Sequence, residues 1–175
     1  SPAPLYDDEF ASRITPGNLE DHLELIGEAD WVIEAVVENL DVKRELLGRV
    51  ERHWKPGTIV SSNTSGISIN RMAEGRSEAF RRCFLGTHFF NPPRYMPLLE
   101  LIPGASTDPE LVKTFRVFCE RVLGKTVVIA KDTPNFIANR IGTYGLLVTL
   151  REMMERGLTV EEADAVTGPA MGRPK

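Results

Sequence analysis

"DWVIEAVVENLDVKRELLGRVERHWKPG", residues 30–57, carries the punctuation of one strand and one helix in sequence. The run from Asp30 to Val37 is short and rich in β-branched residues, the composition of a strand. Asn39 then offers a side-chain oxygen to cap a helix from about Leu40 to Trp54, with Val42, Leu46, Leu47, Val50 and Trp54 as its apolar face. Lys55-Pro56-Gly57 stops it. "TIVSSN" at 58–63 reads as the next strand, followed by a short helix near Ile69 to Ala73.

The alternation continues outward. "CFLGTHFF" (83–90) and "PLLELIPG" (97–104) are two further strands. Asp108-Pro109 supplies an N-cap and a first-turn proline for a helix whose Leu111, Phe115, Phe118 and Val122 recur at helical spacing, ended by Gly124. "KTVVIAKD" (125–132) is a fifth strand. Thr133-Pro134 opens a long helix to Arg156 that Gly157 closes, and the tail holds one more helix, turned off by Gly168-Pro169. Strands alternating with helices predict an α/β domain with a mostly parallel sheet. In such sheets function gathers beyond the carboxyl ends of the strands. Glu38, Asn63 to Ser65, and His88 should therefore face one crevice.

Composition bounds the rest. In 175 residues, 42% hydrophobic and 26% charged, there is core enough for one ordinary domain with part of another. The net charge of −4 comes with no basic stripe, so long nucleic acid is not the expected partner. No apolar run is long enough to span a bilayer. Cys83 and Cys119 stand far apart at no metal spacing and read as reduced, buried thiols, which fits a cytoplasmic compartment. Three dispersed histidines supply no metal site, and His22 and His53 read as surface residues.

The chemistry concentrates in "GTHFFNPPRYMPLLELIPG" (86–104). If the two strands fold back around a turn centred on Arg94, His88 and Glu100 stand directly opposite, each six residues away, with Cβ atoms roughly 5 Å apart. A carboxylate at that range fixes the imidazole tautomer and stabilises the charge brought by a proton taken from a hydroxyl. A structural hydrogen-bonded pair would have the same spacing. "SSNTSG" (61–66) ends its strand with short donors and acceptors suited to a carbonyl or a ribose, or simply to a turn. Asn139, among Phe136, Ile137 and Ala138, costs stability on a core face unless paired.

Four stretches taken together, "EAVVENLDVKREL", "SSNTSGISI", "GTHFFNPPRYMPLLELI" and "KDTPNFIANR", resemble successive signatures of the L-3-hydroxyacyl-CoA dehydrogenase family, in order and at similar spacing. The similarity runs from about residue 30 to the end. It implies that NAD is the cofactor and an acyl-CoA the substrate, with His88 as catalytic base and Glu100 as its carboxylate partner. It further implies that Ser65 and Asn139 contact the substrate, and that Glu38, Lys43 and Asn91 lie on the cofactor side. The implied reaction oxidises (3S)-3-hydroxyacyl-CoA to 3-ketoacyl-CoA in fatty acid β-oxidation. "ITPGNLEDHLELIGEADW" and "GPAMGRPK" are most similar to large bacterial fatty acid oxidation proteins, which implies a homo-oligomeric parent in which the dehydrogenase can be joined to an enoyl-CoA hydratase. Asn135 stands where the family often has glycine.

One departure matters: no G-x-G-x-x-G loop occurs in these residues. The expectation is a fragment, with residues 1–132 the later part of a Rossmann-like NAD-binding domain lacking its first strands and residues 133–175 the start of an all-helical domain, inactive by itself. Two alternatives are a non-catalytic acyl-CoA-binding module and another NAD-dependent hydroxyacid dehydrogenase. The latter would want a catalytic Lys or Cys at a strand end.

Overall fold

A computed structural model describes Leu5 and residues 7–172. It forms two compact units, the first ending at Phe136 and the second beginning at Ile137. "GPAMGRPK" and the opening residues extend outside the described positions.

The first unit is built on a five-stranded mixed sheet: β1 (Trp31–Glu34), β2 (Ile59–Ser62), β3 (Phe84–Phe89), β4 (Leu98–Pro103) and β5 (Thr126–Ile129). Spatial order follows chain order. β1 to β3 run parallel, β4 returns antiparallel to β3, and β5 pairs parallel with β4. The helices of this unit are α1 (Leu40–His53), α2 (Ile69–Met72), α3 (Glu78–Arg82) and α4 (Pro109–Arg121). All five strands and the main helices stand where the sequence puts them. Neither α3, capped by Ser77, nor the 3-10 turns at Asp8–Arg13 and Leu23–Glu28 had been read from it.

Side chains alternate across each strand, so the sheet divides two cores. Val60, Phe84 and Ile102 pack with Leu47 and Val50 of α1, Ile69 and Met72 of α2, and Phe80 of α3. On the other face Leu85, Leu99, Leu101 and Val127 meet Phe115 and Cys119 of α4. Two helix faces differ from expectation. In α1 the buried position is Lys43 while Val42 is exposed, because the ammonium has acidic partners beneath the helix. In α4 Phe115 and Cys119 are buried, whereas Phe118 and Val122 remain largely exposed. Cys83 is half-buried, not buried. His22 and His53 lie on the surface.

The second unit holds α5 (Ala138–Arg156) and α6 (Val160–Thr167), the latter opened by a capping box between Thr159 and Glu162. Gly157 closes α5 in the left-handed conformation, as its position implied. The start of α5 is a correction: Thr133-Pro134 does not open it. Asn135 and Phe136 have φ of 61° and 48°, which no α-helix accommodates. The turn carries Phe136 into the first unit's core instead. Asn tolerates this region better than other side chains, which accounts for Asn135 where glycine would otherwise serve.

Candidate active site

His88 lies in β3 on the same face as Phe84 and Gly86, and the hairpin register sets it directly opposite Glu100 of β4. The turn argument from the sequence therefore describes the actual pairing. The two side chains touch, Nδ1 to Oε2, at 2.7 Å, with His88 only 4% exposed and Glu100 1%. Glu100 thereby occupies one ring nitrogen, and Nε2 is the nitrogen left for other chemistry. Phe90 and Phe136 flank the imidazole, with ring centroids 4.6 and 5.7 Å away. Such apolar walls exclude water from the carboxylate–imidazole contact and strengthen it.

Beside this pair, the carboxyl ends of β1 and β2 are tied together. Glu38, after β1, accepts from the Thr64 hydroxyl at 2.5 Å and from the Ser65 backbone N–H at 3.0 Å. Against the cost of burial, the Thr64 hydroxyl, the Lys43 charge and the Ser65 amide hold the Glu38 carboxyl below its ordinary range, so it stays ionised. Asn63 accepts from the Phe89 N–H at 3.0 Å, which joins the end of β2 to the end of β3. Glu38, the Asn63 to Ser65 loop and His88 thus share one end of the sheet.

Lys43 is 1% exposed. Its ammonium donates to Glu34 at 2.8 Å and to the Val36 carbonyl at 3.1 Å, and lies 3.3 Å from Glu38. Glu34 also accepts from the Val36 N–H and the Ser62 hydroxyl. Lys43 has no surface to offer a ligand, and its link to the crevice is its contact with Glu38. Glu34 was missed as part of this site, although an acid inside an apolar strand run is itself the signal of a buried partner. Phe136 was missed too, and only tertiary packing identifies it; Thr64 lay within the 63–65 run expected at the crevice, but its pairing with Glu38 shows only in the fold.

Asn91 is exposed just past β3, and Ser65 is exposed at the tip of its loop. Asn139 is the second residue of α5 and belongs to the other unit, half-buried. For NAD, the donor set suits the nicotinamide end: a half-exposed ionised carboxylate at Glu38 and polar groups at 63–65 and 91, at the carboxyl ends of parallel strands. The glycine turn that would cradle the phosphates is absent from these residues.

Comparison with known proteins agrees with this geometry. The family model for the 3-hydroxyacyl-CoA dehydrogenase, NAD binding domain, matches residues 3–133. A probable 3-hydroxyacyl-CoA dehydrogenase of Bacillus subtilis (strain 168) is 63% identical over 174 residues, 99% of this chain and 22% of that protein. A putative fatty acid oxidation complex trifunctional enzyme of Rickettsia felis is 39% identical over 99% of this chain and 24% of its own length. This chain therefore spans less than a quarter of either relative. The crystal structure of (S)-3-hydroxybutyryl-CoA dehydrogenase PaaH1 from Ralstonia eutropha superposes with a TM-score of 0.78 at 32% identity, covering 87% of this chain and 53% of that one. No helix among the described residues is long and apolar enough to cross a membrane. With the matched segment spanning the whole sheet and the His88–Glu100 pair, this chain belongs to the 3-hydroxyacyl-CoA dehydrogenase family, as part of its NAD-binding domain.

Proposed function

We propose that this chain is the portion of an NAD-dependent dehydrogenase that oxidises (3S)-3-hydroxyacyl-CoA to 3-ketoacyl-CoA in fatty acid β-oxidation. The observation that carries the reading is the buried 2.7 Å contact between His88 and Glu100 at the carboxyl end of a Rossmann-like sheet. Nε2 of His88 takes the proton of the 3-hydroxyl as its O–H bond breaks and the carbonyl forms. Glu100 holds the ring by Nδ1 and balances the charge of the imidazolium. When bound, NAD supplies the acceptor for the hydride released from carbon 3. Ser65 orients the acyl group, Asn139 of the second unit is a further substrate-contact residue, and Glu38 and Asn91 face the cofactor's nicotinamide half, with Lys43 holding Glu38. Phe90 and Phe136 keep water from the imidazole.

The same proposal includes a multifunctional parent with an enoyl-CoA hydratase portion; a relative named as a trifunctional enzyme of a fatty acid oxidation complex supports the multifunctional part of it. It also includes a homo-oligomeric assembly and a cytoplasmic location, the latter in keeping with two free cysteines. His88→Gln in the complete gene product is the test. Loss of a positioned general base lowers kcat by roughly 10²- to 10⁴-fold, while NADH binding, followed by fluorescence titration, is retained. Undiminished turnover would remove His88 from the mechanism.

A further inference from the structure

Asp132 follows β5, outside the residues assigned to the reaction above, yet its carboxylate gathers four donors. Oδ1 accepts from the Ile69 N–H at 2.9 Å. Oδ2 accepts from the Ser68 hydroxyl at 2.8 Å, the Asn70 N–H at 2.9 Å and the Asn70 side-chain amide at 2.6 Å. Asn70 passes the connection on, because its Oδ1 accepts from the Ala105 N–H at 2.7 Å. One carboxylate therefore joins the end of β5, the segment from β2 into α2, and the loop after β4. Ser65 lies three residues before Ser68.

Two further observations place the active site on both sides of this junction. Phe136, four residues after Asp132, is 2% exposed and packs against the His88 ring. Gly66, next to Ser65, approaches the same turn so closely that a Cβ there would stand 2.9 Å from Oδ1 of Asn135. The Ser65 loop and the Phe136 turn thus lie against each other, and the Asp132 carboxylate is the polar tie beside that contact.

We infer that Asp132 is a positioning residue for the dehydrogenase site, its carboxylate clamping the Ser65 loop to the turn that holds Phe136 against His88. The inference rests on the function proposed above. Charge-assisted hydrogen bonds from four donors hold an angle and a distance better than neutral ones, and small displacements of a substrate-positioning group lower turnover steeply. Asparagine at 132 keeps the shape but turns an amide NH₂ towards one of the two oxygen positions, each of which already faces a donor. Glutamate keeps the acceptors on a longer arm.

The test uses the complete gene product with 3-hydroxybutyryl-CoA and NAD. A wild-type protein without activity would overturn the dehydrogenase reading and this inference with it. Given an active wild type, Asp132→Asn is expected to lower kcat roughly tenfold to a hundredfold, with the Kd for NADH within twofold, and Asp132→Glu to recover part of the loss. Unchanged kcat in a cooperatively folded Asp132→Asn protein overturns the inference while leaving the dehydrogenase reading intact. So does a loss of NADH affinity in proportion to kcat, which marks general damage. If the Asn variant does not fold, Ser68→Ala, which removes one donor and leaves three, decides: a several-fold drop in kcat at constant NADH affinity supports the clamp, and none overturns it.

Discussion

At the residue scale, Lys43 shows how burial is balanced. An ammonium removed from water costs several kcal/mol unless its donors are met. Here Glu34, Val36 and Glu38 meet them, and Lys43 in turn neutralises Glu34, a carboxylate 4% exposed. The pair is more informative broken than intact. Lys43→Ala leaves Glu34 buried without its counter-charge and should lower stability by about 3–5 kcal/mol, read as a shift of the urea midpoint. A double variant, Glu34→Ala with Lys43→Ala, should lose less than the sum of the two single losses, since each removes the other's reason for penalty. Additive losses would show that the ion pair is not coupled.

The element that organises the site is the β3–β4 hairpin, and Gly86 is its tightest point. A Cβ at that position would stand 2.9 Å from Cδ1 of Ile69 and 3.0 Å from Cβ and Cδ1 of Ile102. Glycine lets α2 settle onto the sheet, and α2 follows directly from the loop that carries Ser65. Gly86→Ala should therefore cost about 1–3 kcal/mol through overpacking, visible in a thermal melt. A wild-type melting temperature would mean that α2 moves aside freely. Helix α5 teaches a complementary lesson. Its N-terminal signal at Thr133-Pro134 is locally sound, but the bonus for burying Phe136 against the sheet exceeds the value of one helical turn, so the chain takes two left-handed residues first.

Across the whole first unit, the two cores differ in chemistry. One carries the polar site at its edge, while the α4 layer is apolar and encloses Cys119, 0% exposed. Burial, and secondarily the charge of Glu120, pushes the Cys119 thiol up to about 11. The thiolate is the reactive form, so at pH 8 on the order of one Cys119 in a thousand is reactive even when reached. In native protein, DTNB should label the half-exposed Cys83 first and Cys119 only after denaturant is added. Equal rates for both, with peptide mapping to separate them, would show that the α4 layer opens as a unit.

Much of this was written locally. Strand order along the chain, the N-caps at Asn39 and Asp108, and the facing of His88 and Glu100 all follow from period, capping chemistry and a turn with equal arms, each an interaction between near neighbours in sequence. Family membership was legible for the same reason, since its motifs are short and ordered. What remained hidden involves residues 25 or more apart: Thr64 and Ser65 on Glu38, Phe136 on His88, and Asp132 across to Ser68. Those pairings depend on how strands and helices stack, and stacking is chosen by the total apolar burial of the unit. No single stretch of sequence encodes that quantity.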